Sequence, residues 1–364
     1  MAEMRDTMYK TLSDIQASMA KEGIDHIWVS SPENHRYSTG FGNPDGRVII
    51  GMDEAVMLAD FRYFEEAARV APEGVRAVQP EGRFISGYVK EYFSDRGKVR
   101  IGYEEGHLTC AEFDALKAAV PEAEFVPAGK IFSRLRQIKT PEEIGRIKEA
   151  QRITDAAFSH ILTVLSGNMT ELDVVAELEY YMKKNGADAI SFDTIAVSGK
   201  NSSSPHKTPE NRRLEPGFLT MDFGAMVDGY HADMTRTVVI GRADSEMRRV
   251  YETVLRAQEA VLDVISEGMK NHEMDRIARD IIDGAGYKGM FGHSLGHGVG
   301  LEIHEDPGLY TRDDGLVLTA GNVVTVEPGI YISGMYGCRI EDMVVITPGG
   351  AEDITLSSKE LIEI

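Results

Sequence analysis

Only two of the 364 residues are cysteine, Cys110 and Cys338. Two distant thiols build no disulfide framework, and they form no thiolate cluster for zinc. Basic residues are also scarce: 39 lysines and arginines stand against 59 aspartates and glutamates, a formal net charge of −20. A surface of that sign repels phosphates, so neither nucleic acid nor an anionic membrane is expected as a partner. The chain has no apolar run of about 18 residues, the length a transmembrane helix requires. Its opening segment, MAEMRDTMYK, is polar and holds no apolar export core. Low-complexity tracts and repeats of solenoid period are missing too. These absences leave a soluble acidic protein, with the reducing cytoplasm as its expected location.

What is present is ordinary globular composition at a length that suits two domains, with 42% apolar residues. Residues 6–22 carry Met8, Leu12, Ile15 and Met19 at helical spacing. Strand-like runs follow at Ile24–Ser30, Arg47–Gly51, Ala55–Leu58 and Lys98–Tyr103. Helical patterns lie between them at Phe61–Val70, Phe84–Ser94 and Thr109–Val120. The alternation predicts an α/β domain over roughly the first 130 residues. Thr140-Pro141-Glu142-Glu143 then opens a new unit: a capping threonine, proline at the first helical position and a glutamate that closes a capping box. Further helices are predicted to start near Thr170 and Ser245, with Val-, Ile- and Gly-rich strands between and after them. The domains are placed at 1–134 and 135–364.

Acidic residues inside apolar strands point to chemistry. In FLTMDFGAMVDGYHADMTRTVVI, Asp228-Gly229 predicts a hairpin turn. That turn sets Asp222 opposite Thr235, with Asp233 on the same face and roughly 7–8 Å from Asp222 at the backbone. A second apolar pair of strands holds Glu327, in NVVTVEPGIYI, and Glu341, in CRIEDMVVI. A loop centred on Gly334 makes those two glutamates face each other. Buried acids aimed at one spot repel unless a cation lies between them. His293, His297 and His304 fall within GHSLGHGVGLEIHEDP, and the glycines beside His297 are read as giving its backbone close access to a ligand. His206, in SSSPHK, is by spacing either a site residue or a plain loop residue. One imidazole with four carboxylates is a hard, oxygen-rich set that suits Mn²⁺, Co²⁺ or Zn²⁺. Four carboxylates also match two divalent ions in charge.

In this order the motifs resemble the prolidase and aminopeptidase P branch of the pita-bread metallopeptidases, over nearly the whole chain. They are SPENHRYSTGF (31–41), RLRQIKTPEEIGRIKEAQRITDAAF (134–158), FDTIAVSGKNSSSPH (192–206), MDFGAMVDGYHADMTRTV (221–238), HSLGHGVGLEIHEDP (293–307), VVTVEPGIYI (323–332) and RIEDMVVIT (339–347). The resemblance implies an N-terminal creatinase-like α/β domain and a C-terminal α+β pita-bread catalytic domain. It also implies metal ligands at Asp222, Asp233, His297, Glu327 and Glu341 for two divalent ions, Mn²⁺ first. His206, His293 and His304 match its substrate and transition-state histidines, and Glu327 its proton shuttle. Arg339 matches a supporting arginine, or else forms a structural ion pair. Phe192 and Tyr230 match residues near the substrate, or else pack as ordinary core.

The implied activity is hydrolysis of the bond between an N-terminal residue and proline, by a dipeptidase or a longer-peptide aminopeptidase, in a homodimer. The shortness of the chain leans towards the dipeptidase. Two positions depart from the family pattern: Lys207 replaces a small residue after His206, and Ala232 precedes Asp233 where serine or cysteine is usual. The competing readings are a non-peptidase hydrolase of the same fold and a non-catalytic binding module. Five retained ligand positions speak against both.

Overall fold

The computed structural model describes residues 2–43, 45–81 and 85–364. The side chain of Met8 and all of Phe84, both used above, lie outside the described residues. The chain divides into two compact units, Met1–Arg136 and Gln137–Ile364. Among the described residues no helix is long and apolar enough to cross a membrane.

The first unit runs α1 (Ala2–Glu22), β1 (His26–Val29), α2 (Pro32–Thr39), β2 (Arg47–Gly51), β3 (Ala55–Leu58), α3 (Phe64–Val70), β4 (Val75–Val78), α4 (Ile85–Phe93), β5 (Arg100–Tyr103), α5 (Cys110–Ala119), β6 (Glu124–Pro127) and α6 (Gly129–Arg136). Its strands form one mixed sheet in the order β4-β3-β2-β1-β5-β6. The central strands are apolar on both faces because helices cover both. Ile27, Val29, Val48 and Met57 pack with α1 and α6, whereas Trp28, Ile49, Val56 and Leu58 pack with α4 and α5.

Two strands, β4 and β6, and two helices, α2 and α6, of this unit escaped the sequence reading. β4 and β6 are edge strands, largely half-exposed, so their apolar pattern is weak. α2 follows the same rules as the helix at Thr140: the Ser31 side chain accepts from the Asn34 N–H, and Pro32 opens the helix.

The second unit is built from two similar halves. The first is α7 (Pro141–Val164), α8 (Glu171–Lys184), β7 (Ala189–Ile190), β8 (Ile195–Ser198), β9 (Gly217–Phe223), β10 (Ala225–Val227), β11 (Tyr230–His231) and β12 (Met234–Ile240). The second is α9 (Ser245–Leu262), α10 (Asn271–Ile282), β13 (Gly296–Gly298), β14 (Glu305–Leu309), β15 (Val323–Val326), β16 (Gly329–Ile332), β17 (Tyr336–Arg339), β18 (Asp342–Thr347) and β19 (Gly350–Asp353). Each half is a pair of helices followed by antiparallel strands. Thr140 and Glu143 form the expected capping box, as do Thr170 and Asp173. α10 was not anticipated, and its N-cap position is Lys270, which offers no side-chain cap.

One apolar cluster joins α7 and α8 to Leu219, Met221 and Val238. The other joins α9 and α10 to Val324, Val326, Val344 and Ile346. Helices thus cover the outer faces of the strands. The strand faces left over meet each other, and the acids lie there.

Candidate metal centre

The first acidic pair is set by the hairpin turn. Asp228 and Gly229 both take positive φ, 50° and 79°, as a two-residue primed turn requires. The register is the same at Val227↔Tyr230 and, past a gap in the ladder, at Phe223↔Met234, and Asp222 stands opposite Thr235 as expected. Asp233 lies in the interruption between β11 and β12.

The second pair follows the same logic. Ile332 pairs with Tyr336 around Gly334, and Val326 pairs with Asp342 in the same register further along. Glu327 and Glu341 therefore face each other where the ladder opens. At that opening each backbone turns to a neighbour instead. The Glu327 N–H donates to Leu295 O at 2.8 Å, and the Glu341 N–H to Thr235 O at 3.1 Å. The second bond laces the two hairpins together at the acids.

His297 comes from β13. Its Nδ1 is 3.1 Å from Gly298 O, so the proton belongs there and the Nε2 lone pair faces the acids. Nε2 lies 3.4 Å from Asp233 Oδ2 and 3.5 Å from Glu327 Oε1. Ligand atoms of Asp233, His297 and Glu341 all fall within 4.8 Å of one another. The flanking glycines have a different purpose from the one expected. A side chain on Gly296 would strike the Thr325 carbonyl, and one on Gly298 the Glu305 carbonyl. They admit neighbouring backbone rather than a ligand.

Arg339 organises the floor. Its Nη2 donates to Asp222 Oδ2 at 2.5 Å, its Nε to Thr235 Oγ1 at 2.9 Å and its Nη1 to the Tyr331 hydroxyl at 2.8 Å. Thr235 passes the bond on to Glu341 Oε2 at 2.7 Å. Tyr331 in turn lies 2.9 Å from His293 Nε2, and His293 Nδ1 lies 2.8 Å from Ser294 O. A carbonyl only accepts, so His293 carries its proton on Nδ1 and Tyr331 donates to Nε2. Burial, then the Arg339 charge, lowers the His293 pKa to about 3, so the ring is neutral. Burial likewise raises the Tyr331 phenol to about 12.

Negative charge is in excess here. Burial raises the Asp233 carboxyl well above its usual range, and the charges of Asp222 and Glu327 push it further. Burial and Asp233 do the same to Glu341, and burial raises Glu327. Asp222 Oδ1 is buried and has no hydrogen-bond partner among the described residues. A buried carboxylate oxygen without a donor is costly. Four carboxylates, an imidazole lone pair and an orphaned acceptor, with Arg339 as the cation in contact, fit divalent ions held by hard donors.

The site floors a cavity of about 550 Å³. His206, His293, His304 and Phe192 line it together with all five acid and imidazole candidates and Arg339. The His304 ring centroid is 4.2 Å from that of His297. Tyr230 is a correction: it does not line the cavity. Its buried hydroxyl donates to Glu143 Oε1 at 2.8 Å, tying the hairpin to the first turn of α7. The sequence reading missed Tyr331 and Thr235. The period of two in a strand signals Tyr331, which shares a face with Glu327, and Thr235 stands across from Asp222.

The metallopeptidase family M24 model matches residues 145–348, and the creatinase/prolidase N-terminal domain model matches residues 12–138. A curated relative, the Xaa-Pro dipeptidase of Pyrococcus furiosus, is 37% identical over 357 residues, covering 98% of this chain and all of its own length. Among solved structures, an Xaa-Pro dipeptidase from Bacillus anthracis superposes with a TM-score of 0.93 at 41% identity, over 98% of this chain and 100% of its own. An X-Pro aminopeptidase from Thermotoga maritima gives a TM-score of 0.87 at 33% identity, over 94% of this chain and 98% of its own. A family model that spans over half the chain and relatives matched along nearly its full length lead to one assignment: the chain belongs to metallopeptidase family M24, with a creatinase/prolidase-type domain preceding a pita-bread catalytic domain.

Proposed function

We propose that the chain hydrolyses the bond between a free N-terminal residue and a following proline, using two divalent ions held by Asp222, Asp233, His297, Glu327 and Glu341. The observation that carries this reading is the uncompensated group of buried carboxylates around His297 Nε2, in a chain whose relatives include Xaa-Pro dipeptidases. Mn²⁺ is the preferred ion because the donors are hard and oxygen-rich, with Co²⁺ and Zn²⁺ as alternatives. Divalent ions in such a site supply a Lewis acid and an activated water.

The remaining steps fall to side chains. Acids on the floor attract the peptide's ammonium group, which limits cleavage to the first bond. His304 donates to the carbonyl oxygen as negative charge develops on it. Burial and the neighbouring His297 lower its pKa, so it donates as a neutral imidazole. Glu327 takes a proton from the attacking water and delivers it to the leaving nitrogen. His206 faces the substrate from the cavity wall. Both ring nitrogens of His293 are engaged, so we assign it with Arg339 to holding the floor rather than to proton transfer. Phe192, Pro205 and Ile303 offer apolar contact to a pyrrolidine ring, whose φ is fixed before binding.

The test is the purified chain loaded with Mn²⁺ and given Ala-Pro, Ala-Pro-Ala, Ala-Ala and N-acetyl-Ala-Pro. Ala-Pro should be cut well ahead of Ala-Ala, and the acetylated peptide should resist. Equal rates on Ala-Pro and Ala-Ala defeat the proline assignment. The rate on Ala-Pro-Ala decides between dipeptidase and aminopeptidase. Chelation should abolish turnover and return of the ion restore it. An ion at 100 times its Kd should stabilise the fold by about 2.7 kcal/mol. Full activity in EDTA, with no metal found in the protein, would remove the metal from the reading.

A further inference from the structure

The cavity is electrostatically lopsided. Its floor holds Asp222, Asp233, Glu327 and Glu341, while its lining cations among the described residues are Arg339 and Lys207. Arg339 is buried and gives all three of its nitrogens to Thr235, Tyr331 and Asp222. Those three bonds fix its guanidinium to the floor, beside the acids. Lys207 differs in every respect. It sits on the wall segment that includes Pro205 and His206, and its side chain is 37% exposed. Its Nζ pairs with Glu210 Oε1 at 2.5 Å, and Glu210, 46% exposed, does not line the cavity. A pair so exposed is worth little and exchanges easily.

The backbone beneath Lys207 is held in place. The fully buried Glu171 accepts from the Ser198 N–H, the Asn201 amide and the Glu210 N–H, pinning both ends of the segment to the start of α8. The Lys207 N–H closes a turn onto Ser204 O at 3.2 Å. A fixed base thus carries a half-exposed cation whose present partner is a replaceable surface acid.

We propose that Lys207 determines specificity by receiving the C-terminal carboxylate of a short peptide, with the substrate displacing Glu210. The proposal rests on the peptidase reading above and narrows its substrate class to dipeptides. A dipeptide carries an ammonium group at one end and a carboxylate at the other. The acidic floor orients the first, and Lys207 the second. A longer peptide has an amide where the dipeptide has its charge, so it leaves the Lys207–Glu210 pair intact and gains nothing from it.

The experiment compares wild type, Lys207→Gln, Lys207→Arg and Glu210→Gln, all full-length and Mn²⁺-loaded, on Ala-Pro and Ala-Pro amide. Lys207→Gln should raise KM for Ala-Pro about ten-fold with kcat little changed, the loss of one charge-assisted hydrogen bond. KM for the amide should not move. Lys207→Arg should restore most of the affinity, and Glu210→Gln should lower KM for Ala-Pro by removing the competitor. An unchanged KM for Ala-Pro in Lys207→Gln overturns the proposal. So does an equal loss on peptide and amide, which makes Lys207 a support for the wall. Binding of both ligands to the full-length chain in EDTA, followed by ligand-observed NMR, keeps this separate from turnover. Wild type should favour the free carboxylate there and Lys207→Gln should not, whether or not proline peptides prove to be substrates. Absence of that preference in the wild type also overturns the proposal.

Discussion

The strands that carry the site have a second face, one residue away, and the two faces treat buried charge in opposite ways. Thr235 and Glu341 look into the cavity side; Arg236 and Asp342, their chain neighbours, look away. Arg236 is 1% exposed and makes five bonds: to Ser358 O, Thr235 O, Glu341 O, Asp342 Oδ1 and Ser357 O, at 2.6–3.1 Å. Asp342, fully buried, receives Arg236 on one oxygen and Lys359 on the other at 2.6 Å. Every donor and acceptor there is matched within the protein. On the site face, four acids share Arg339, Asp222 Oδ1 has no partner among the described residues, and burial drives Asp233 and Glu341 towards their protonated forms. Buried acids in apolar strands are thus no mark of function in themselves. What separates the two faces is whether the protein supplies the countercharge.

Adjacent substitutions give the sharpest test of that contrast. Glu341→Gln keeps the shape of a metal ligand and removes its charge, so nearly all turnover should be lost. The metal-free fold should keep its stability or gain some, because one repelling charge is gone. Asp342→Asn leaves Arg236 and Lys359 buried without their partner and should cost roughly 3–5 kcal/mol in chemical denaturation. The comparison breaks if Asp342→Asn is as stable as wild type, or if Glu341→Gln retains near-normal turnover with its metals bound.

A smaller effect is expected at the cavity wall. His304→Ala should lower kcat by about 10²–10³-fold with little change in KM, since a donor aimed at a developing oxyanion acts mostly in the transition state. Steady-state kinetics on Ala-Pro reads this directly. A change confined to KM makes His304 a ground-state contact.

The N-terminal unit offers a third kind of buried group, bases rather than acids. His26 and His35 are 7% and 1% exposed, and each has one ring nitrogen with no hydrogen-bond partner among the described residues. Burial lowers both pKa values from 6.5 to about 4, with help from Arg96 at His26 and from Arg47 and Arg36 at His35. The folded state binds fewer protons than the unfolded chain between those values. Stability is therefore whole above pH 6.5 and is lost as pH falls towards 4, by roughly 3 kcal/mol per histidine as an upper bound. Urea unfolding in EDTA reads this together with the raised carboxyls of the metal-free site, which titrate with the opposite sign, so the histidine part is taken from the difference between wild type and a histidine variant. His35→Asn should flatten the acid loss, and an unchanged slope would discount His35.

Some of this was legible in the sequence for a physical reason. A strand repeats every two residues, so the Asp228-Gly229 turn alone put Asp222 opposite Thr235, and Gly334 alone put Glu327 opposite Glu341. Helix starts at Thr140 and Thr170 were legible from their caps, and α10 was not, because Lys270 caps nothing with its side chain. β4 and β6 were missed because edge strands need little apolar surface. The meeting of the two hairpins was invisible to local pattern. Glu341 reaches Thr235 across more than a hundred residues, and only the packing of both helix pairs brings them together. Tyr230 was misplaced for the same reason, since its partner Glu143 lies in a helix that the hairpin pattern does not mention.

The mildest test probes how far the site depends on its own matched bonds. Tyr331 is the point where the unbalanced face touches a closed network: it accepts from Arg339 Nη1 and donates to His293 Nε2. Tyr331→Phe keeps the ring and deletes both bonds. Arg339 then loses one of three anchors while still holding Asp222, and His293 keeps its bond to Ser294 O. The floor should loosen without losing charge. We expect kcat/KM on Ala-Pro to fall about ten-fold, close to one hydrogen bond to a charged group, with metal content unchanged. The loss should not depend on pH between 6 and 9, because a phenol raised to about 12 stays protonated throughout. Stability should drop by about 1 kcal/mol, the net worth of an ordinary hydrogen bond. A loss of stability with kcat/KM intact would make Tyr331 packing alone. A loss of bound metal would mean instead that the matched network, and not only the acids, holds the ions.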